Sequence, residues 1–158
     1  MKRLEIIGEN YFGAWKYTRT ACRGVVLCSS GILLSYETRN DQYMIPGGGL
    51  EPGEDDAACC IREVAEETGV LVRPGECALE IDEFYEDWKY VSRYFVCEPV
   101  NAAERHLTGR EREVGMEPRW VPIDRALEIF SRHADYAATD EMRRGLYRRE
   151  YTALKALI

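Results

Sequence analysis

The stretch from Gln42 to Gly69 constrains this chain more than any other, because an extended run passes through three glycines into a helix with an acidic face. Residues 42–45 favour a short strand, and Pro46 with the glycines after it must end that strand, since neither residue type continues a sheet ladder well. From Glu54 to Thr68 apolar residues recur at helical spacing, and acids occupy the first turn. The pattern therefore predicts a strand, a loop and a helix, in that order.

Three glutamates share one side of the predicted helix. At about 100° per residue, Glu63, Glu66 and Glu67 fall together, so the helix is expected to bury one face and to project a carboxylate cluster from the other. The residues predicted to face the core, on the side opposite the glutamates, are Ala58, Ile61 and Ala65.

Such a cluster has an electrostatic cost. Like charges three or four residues apart repel by roughly 0.2–0.5 kcal/mol a pair, and Arg62 offsets only part of this. A tight group of oxygen ligands suits Mg²⁺ or Mn²⁺, which proteins hold with few carboxylates together with waters and substrate phosphates. The preceding glycines would let backbone groups approach a metal or a phosphate, although their spacing matches neither common nucleotide loop. The segment thus predicts a divalent-cation site for phosphate chemistry.

Each feature alone has a plainer interpretation, because acidic helix faces are usually solvated and glycine runs usually form turns. Their joint spacing is not explained in this way, and over residues 48–70 it resembles the Nudix box. The matching fixed positions are Gly48, Glu54, Arg62, Glu63, Glu66, Glu67 and Gly69, with apolar Val64 and Val70 at their places.

The resemblance implies an α/β fold, a Nudix-type α/β/α sandwich with a mixed sheet and the loop-helix-loop of the box. It also implies a hydrolase that uses Mg²⁺ or Mn²⁺ and water to cut a phosphoanhydride bond in a nucleoside diphosphate linked to another group. By the same resemblance Glu66 and Glu67 are the principal metal ligands, and Glu63 is a further ligand or the catalytic base. A main-chain carbonyl at Gly47 or Gly48 also reaches the metal.

Other roles are carried over less directly. Glu54 and Arg62 are expected to form an orienting pair that holds the loop against the helix. Some relatives place the base in a later loop, where Glu111 or Glu113 would serve, although solvated glutamates are the plainer interpretation there. The weak substrate-binding candidates are Arg23 and Arg39, and no motif selects one substrate.

The remaining elements fit a mixed sheet with helices on its faces. A last helix beginning near Thr139 carries an apolar side that includes Met142, Leu146, Tyr147, Tyr151, Leu154 and Ile158. Its basic residues are expected to lie opposite, on a surface that covers the sheet or, as a second interpretation, makes a homodimer contact. These basic residues are Arg143, Arg144, Arg148, Arg149 and Lys155. Strands are predicted at 20–28, 32–36, 42–45, 78–85, 90–97 and 119–122, with a further helix from 123 to about 131.

Composition and charge argue against several classes of protein and partner. The 158 residues are expected to form one domain, residues 1–158, without an appended one. A net charge of −7 argues against nucleic-acid and anionic-membrane partners, so cations must bridge an anionic small-molecule substrate. No apolar run approaches a membrane span, and the first nine residues lack the apolar stretch of a signal peptide. A cytoplasmic location with reduced cysteines is the expectation.

Two competing functions remain. A catalytically silent Nudix-like module that senses a nucleotide would show a degraded box and an appended domain, and neither is predicted here. A purely structural acidic domain would leave the carboxylate cluster metal-free. Metal-dependent turnover distinguishes the hydrolase from both.

Overall fold

The computed structural model describes residues 1–158 and contains eight strands, four α-helices and one 3₁₀ helix. The strands are β1 (Lys2–Ile7), β2 (Tyr17–Cys28), β3 (Gly31–Glu37), β4 (Gln42–Met44), β5 (Gly47–Gly49), β6 (Val70–Phe84), β7 (Trp88–Ala102) and β8 (Met116–Val121). The helices are α1 (Asp56–Thr68), α2 (Gly109–Glu113), α3 (Ile123–Ser131), the 3₁₀ helix Arg132–Tyr136, and α4 (Glu141–Leu157).

Strand β2 joins the two parts of the sheet. Along most of its length β2 pairs in parallel with β7, and β7 continues through antiparallel β6 to parallel β1 at the edge. At its end β2 turns back into β3 as the predicted hairpin, pairing Leu27 with Ile32 and Cys28 with Gly31. Strand β3 then pairs with β4 and β8. The sheet therefore mixes parallel and antiparallel strands, as predicted.

The two faces of the sheet carry separate cores. Successive residues of a strand point to opposite faces, so Val25 packs with the core beneath α3 and α4, whereas Val26 packs with the core beneath α1. On β7 the same alternation sends Tyr94 to the first core and Phe95 to the second. Helices thus cover both faces, and the predicted α/β/α layering is confirmed.

Several predicted boundaries are wrong. Strand β1 and the 3₁₀ helix carry no strong sequence pattern and were not expected, and β6 and β7 run well past residues 78–85 and 90–97. The charged loop before β8 contains the short helix α2, which a capping box at Thr108 and Glu111 stabilises. Helix α1 begins at Asp56 rather than Glu54, because the Asp55 side chain accepts a hydrogen bond from the Ala58 N–H and caps the first turn.

Helix faces also differ from the prediction. On α1, Ala58 is exposed, whereas Glu67 is buried beside Cys60 and Val64, so the helix turns its last glutamate inward. On α4, Met142 was predicted on the apolar side but is exposed, and Arg149 was predicted on the basic side but is buried. None of the helices has both the length and the apolar character that crossing a bilayer requires.

Candidate metal and phosphate site

The three glycines after Pro46 form strand β5, which corrects the predicted loop. Gly47, Gly48 and Gly49 pair with Arg23, Cys22 and Ala21 of β2 respectively. A Cβ on Gly47 would lie 2.4 Å from the Cys22 carbonyl oxygen, so no larger residue fits this approach to β2. Glycine is therefore needed at position 47 for close packing of backbone on backbone.

Gly48 has a second close neighbour, the carboxylate of Glu63. A Cβ at Gly48 would lie 2.5 Å from both Cδ and Oε2 of Glu63. The missing side chain therefore leaves the space in which a carboxylate from α1 meets the backbone of β5. The Gly48 carbonyl oxygen also accepts a long hydrogen bond, 3.5 Å, from the Cys59 thiol.

Arg62 is the hub of the ion pairs between loop and helix. Its Nε and Nη2 donate to the two Glu54 oxygens at 2.7 and 2.9 Å, and Nη2 also reaches the Gly49 carbonyl at 3.1 Å. Its Nη1 contacts Glu63 Oε1 at 2.8 Å and Glu66 Oε2 at 3.3 Å. Hydrogen bonding from Arg62 lowers the pKa of the Glu54 carboxyl to about 2. Glu54 and Arg62 thus hold the loop, β5 and α1 together.

Glu67 lies deeper than the other two glutamates and makes no salt bridge. It is 3% exposed, and its Oε2 accepts a hydrogen bond of 2.7 Å from the Gly47 N–H. Burial raises the pKa of the Glu67 carboxyl well above its usual value, with the nearby Glu63 charge acting in the same direction. Burial also raises the pKa of Glu63, against the opposing effect of Arg62. Burial therefore disfavours the charged form of both carboxyls, and only Glu63 has a salt-bridge partner, Arg62 at 2.8 Å.

A cavity of about 380 Å³ opens beside these carboxylates, a size in the range of small-molecule sites. Strand β2 lines it with Arg19, Ala21 and Arg23, which alternate along one face. In all, four arginines and three glutamates face it, in a chain whose net charge is −7. The charged lining residues are Arg19, Arg23, Arg110, Arg149, Glu63, Glu67 and Glu111.

The structure separates the predicted site residues into two groups. Glu63, Glu67, Gly48, Arg23 and Glu111 line the cavity. Five others do not: Glu54 and Glu66 pair with Arg62, the closest N···O distances being 2.7 and 3.3 Å, and exposed Arg39 and Glu113 pair with each other at 3.6 Å.

The sequence prediction missed three arginines in the cavity. Arg19 could have been found from its spacing of four residues from Arg23, although it lies one residue before the predicted strand 20–28. Arg110 precedes Glu111, which was predicted as an alternative base, in a segment expected to be a solvated loop. Arg149 carries no usable sequence signal, because its burial depends on how α4 docks on the sheet.

The donor set suits a hard divalent cation. The Glu63 and Glu67 carboxylates and the backbone carbonyls of β5 are all oxygen ligands, the type that Mg²⁺ and Mn²⁺ prefer. No three acidic, histidine or cysteine side chains lie close enough to form a ready-made metal cluster, since Arg62 draws Glu63 and Glu66 toward itself. The residues therefore fit the cation by their chemistry.

Comparison with known proteins gives one family and a consistent fold. The NUDIX domain family matches residues 18–142. The human diphosphoinositol polyphosphate phosphohydrolase NUDT4B is 34% identical over 106 residues, which are 65% of this chain and 55% of that protein. The chain thus spans about half the length of this relative.

Two solved structures share the fold. A NUDIX hydrolase from Nitrosomonas europaea superposes with a TM-score of 0.61 and 24% identity, covering 89% of this chain and 92% of the other. The MutT protein from Methanosarcina mazei Go1 gives a TM-score of 0.53 and 20% identity, covering 89% and 97%.

Proposed function

The chain belongs to the Nudix family, and from this premise we propose that it is a hydrolase of phosphoanhydride bonds that works with bound Mg²⁺ or Mn²⁺. The proposed substrate is a nucleoside diphosphate linked to another group, or a small anionic molecule with the same anhydride. The observation that supports this best is the placement of Glu63 and Glu67 at the wall of a cavity that four arginines also line.

The charges of the cavity suit a phosphorylated ligand. Guanidinium groups bind phosphate oxygens with paired N–H donors. Carboxylates alone would repel such a ligand, so the glutamates need a cation between themselves and the phosphates. The arginines and the cation together would offset the charge of a diphosphate in a protein that is acidic overall.

We assign the cation to Glu66, Glu67 and a main-chain carbonyl at Gly47 or Gly48, with Glu63 either as a further ligand or as the base. When bound, the cation would lower the pKa of a water molecule and neutralise the diphosphate. The Gly47 N–H fixes one oxygen of Glu67 and leaves the other for the cation. Glu54 keeps Arg62 against the loop, so that α1 stays positioned against β5.

Glu63 is the proposed base that accepts a proton from the attacking water, and Glu111 is the alternative. Arg62 engages Oε1 of Glu63, while its Oε2 lies over Gly48. Glu111 also lines the cavity, and its Oε1 accepts a hydrogen bond from the Thr108 N–H at 2.9 Å. Both groups therefore keep one oxygen available for a water molecule.

The two candidates for the base can be distinguished with Glu63→Gln and Glu111→Gln variants. Loss of the base lowers kcat by about 10²–10⁴-fold and leaves Mn²⁺ affinity unchanged. Loss of a ligand lowers both quantities. If neither variant lowers kcat, both assignments of the base are wrong.

The substrate is best found with a panel. The human relative is named for diphosphoinositol polyphosphates, so that class belongs beside nucleoside triphosphates, nucleotide sugars, ADP-ribose and dinucleoside polyphosphates. Product release is measured with Mg²⁺, with Mn²⁺ and with chelator. Metal-dependent turnover of any member supports the proposal and names the class. A silent panel with metal-dependent nucleotide binding would replace the hydrolase by the sensing module.

A further inference from the structure

The C-terminal helix α4 contributes a charged side chain to the cavity. Arg149 is 9% exposed and lines the cavity together with Arg23, which is also 9% exposed. Arg149 lies beyond residues 18–142, the part of the chain that matches the family. This part of the cavity wall therefore belongs to a segment outside the matched region.

The Arg149 guanidinium is only partly satisfied. Its Nε donates to Glu150 Oε1 at 3.0 Å, whereas its Nη2 is buried without a hydrogen-bond partner. Its Nη1 lies 3.8 Å from Glu83 Oε2, which is an ion pair beyond hydrogen-bond distance. A buried charged donor without an acceptor is unfavourable. Two of the three nitrogens thus lack a hydrogen-bond acceptor within the protein.

Glu150 cannot supply that acceptor, because its oxygens already serve another purpose. Oε2 accepts from the Ile45 N–H at 2.6 Å, and Oε1 accepts from the Tyr94 hydroxyl at 2.8 Å as well as from Arg149. These bonds tie α4 to the sheet through a fully buried side chain. Glu150 therefore supplies the hydrogen bonds that dock the helix, and the outer nitrogens of Arg149 add only the longer ion pair to Glu83.

Arg23, unlike Arg149, has no carboxylate partner. It forms no salt bridge, and its two hydrogen bonds, to the Ser92 hydroxyl and the Ile45 carbonyl, are both long at 3.5 Å. Its side-chain stem packs on Gly47, whose N–H holds Glu67, since a Cβ there would lie 2.6 Å from Arg23 Cγ. Arg23 thus adjoins both the carboxylate site and the cavity.

We propose that Arg149, together with Arg23, binds a phosphate of the substrate other than the two joined by the bond that is cut. This rests on the proposed function and narrows its substrate class to phosphoanhydrides that carry at least one further phosphate. Uncommitted guanidinium donors supply the paired hydrogen bonds that phosphate oxygens accept. A nucleoside polyphosphate and a phosphorylated diphosphoinositol both carry such a further phosphate, and hydrolysis kinetics distinguish the two.

The first test measures binding without catalysis. Inorganic phosphate is titrated into the whole protein in chelator, followed by calorimetry and by NMR of the arginine side-chain Nε–H signals. We expect the Arg149 signal to shift and phosphate affinity to fall about tenfold to hundredfold in Arg149→Met, the loss of one charge-assisted contact. Arg148→Met is the matched control, because Arg148 is exposed on the same helix. Unchanged phosphate affinity in Arg149→Met overturns the proposal.

Arg149→Met removes a partner of buried Glu150 and could misfold for that reason, so two further variants serve as controls. Arg149→Lys keeps a positive charge beside Glu150 but has no fork of donors, and we expect it to weaken phosphate binding while the melting temperature is largely kept. Arg23→Met leaves no carboxylate without its ion-pair partner. If both folded variants bind phosphate as tightly as the wild type, the subsite does not exist.

The second test uses hydrolysis of a matched pair, ADP-ribose and ADP-ribose 2′-phosphate, beside a nucleoside triphosphate and a diphosphoinositol polyphosphate. The comparison is made for whichever multiply phosphorylated substrate the enzyme hydrolyses. We expect Arg149→Lys to raise the KM for that substrate about tenfold more than it raises the KM for ADP-ribose. An equal rise for all substrates overturns the subsite and leaves the hydrolase proposal standing. Phosphate binding that depends on Arg149, with no hydrolysis of any substrate, supports the subsite and overturns the hydrolase.

Discussion

Replacing Glu54 by Gln tests the role of the Arg62 hub. Glu54 accepts two hydrogen bonds of 2.7 and 2.9 Å from Arg62, and the two side chains are only 14% and 24% exposed. A charge-assisted contact of this kind contributes about 1.5–3 kcal/mol to the free energy of unfolding. For a protein of this size, 1 kcal/mol corresponds to about 2–4 °C. We therefore expect Glu54→Gln to lower the melting temperature by about 3–12 °C at neutral pH.

The chain offers a matched control in Glu51→Gln. Glu51 lies 3.8 Å from the same arginine but is 64% exposed, so solvent screens the pair and its loss costs at most about 1 kcal/mol. The assay is thermal unfolding of the wild type and both variants at neutral pH. Equal destabilisation by the two variants would refute the assignment of Glu54 as the residue that fixes Arg62.

The Glu54 effect also has a defined pH dependence. Because the pKa of Glu54 is lowered to about 2 in the folded protein, its stabilisation is complete above the usual carboxyl range near 4.5 and is lost as the pH falls toward about 2. The stability difference between the wild type and Glu54→Gln should therefore shrink between about pH 4.5 and pH 2. A difference that stays constant over this range would contradict the ion pair.

Alanine substitutions at three glycines, one of them a control, test the packing against helix α1. Gly48→Ala places a Cβ 2.5 Å from the Glu63 carboxylate and should reduce metal-dependent turnover at least about tenfold, whereas Gly49→Ala, with nearest atoms at 3.5 Å, should change it little. Retained turnover in Gly48→Ala would exclude the close approach of Glu63. Gly24→Ala meets the Val64 methyl at 2.7 Å, so its destabilisation, about 1–3 kcal/mol, should be relieved in part by Val64→Ala in a double-mutant cycle. Strictly additive unfolding energies would contradict that contact.

The part of the fold that sequence predicts well is local. The spacing of residues 48–70 predicts α1 and the carboxylates it carries, because helical geometry fixes which residues share a side. The alternation at 20–28 and 90–97 likewise places strands that the structure contains as parts of β2 and β7. Both signals depend only on neighbours in the chain.

What the sequence does not predict depends on distant partners. Gly47–Gly49 has low strand propensity and forms β5 only because β2 lies within reach of a backbone that lacks side chains. Arg149 was expected on the solvent side of α4, but Glu150 docks that helix through Ile45 and Tyr94 and carries Arg149 inward. Burial of a charged residue by tertiary docking leaves no periodic signal.

The most direct test of the central proposal is turnover of one phosphoanhydride substrate as a function of Mn²⁺ concentration, in the wild type and in Glu67→Gln. Glu76→Gln serves as the control, since Glu76 is exposed on β6, outside the residues that line the cavity. We predict turnover that requires the metal, remains in Glu76→Gln, and falls at least tenfold with weaker Mn²⁺ dependence in Glu67→Gln, an order of magnitude typical for loss of a metal-site group. Turnover that is unchanged by chelator, or equal in Glu67→Gln and the wild type, would contradict a metal-dependent hydrolase built on these carboxylates.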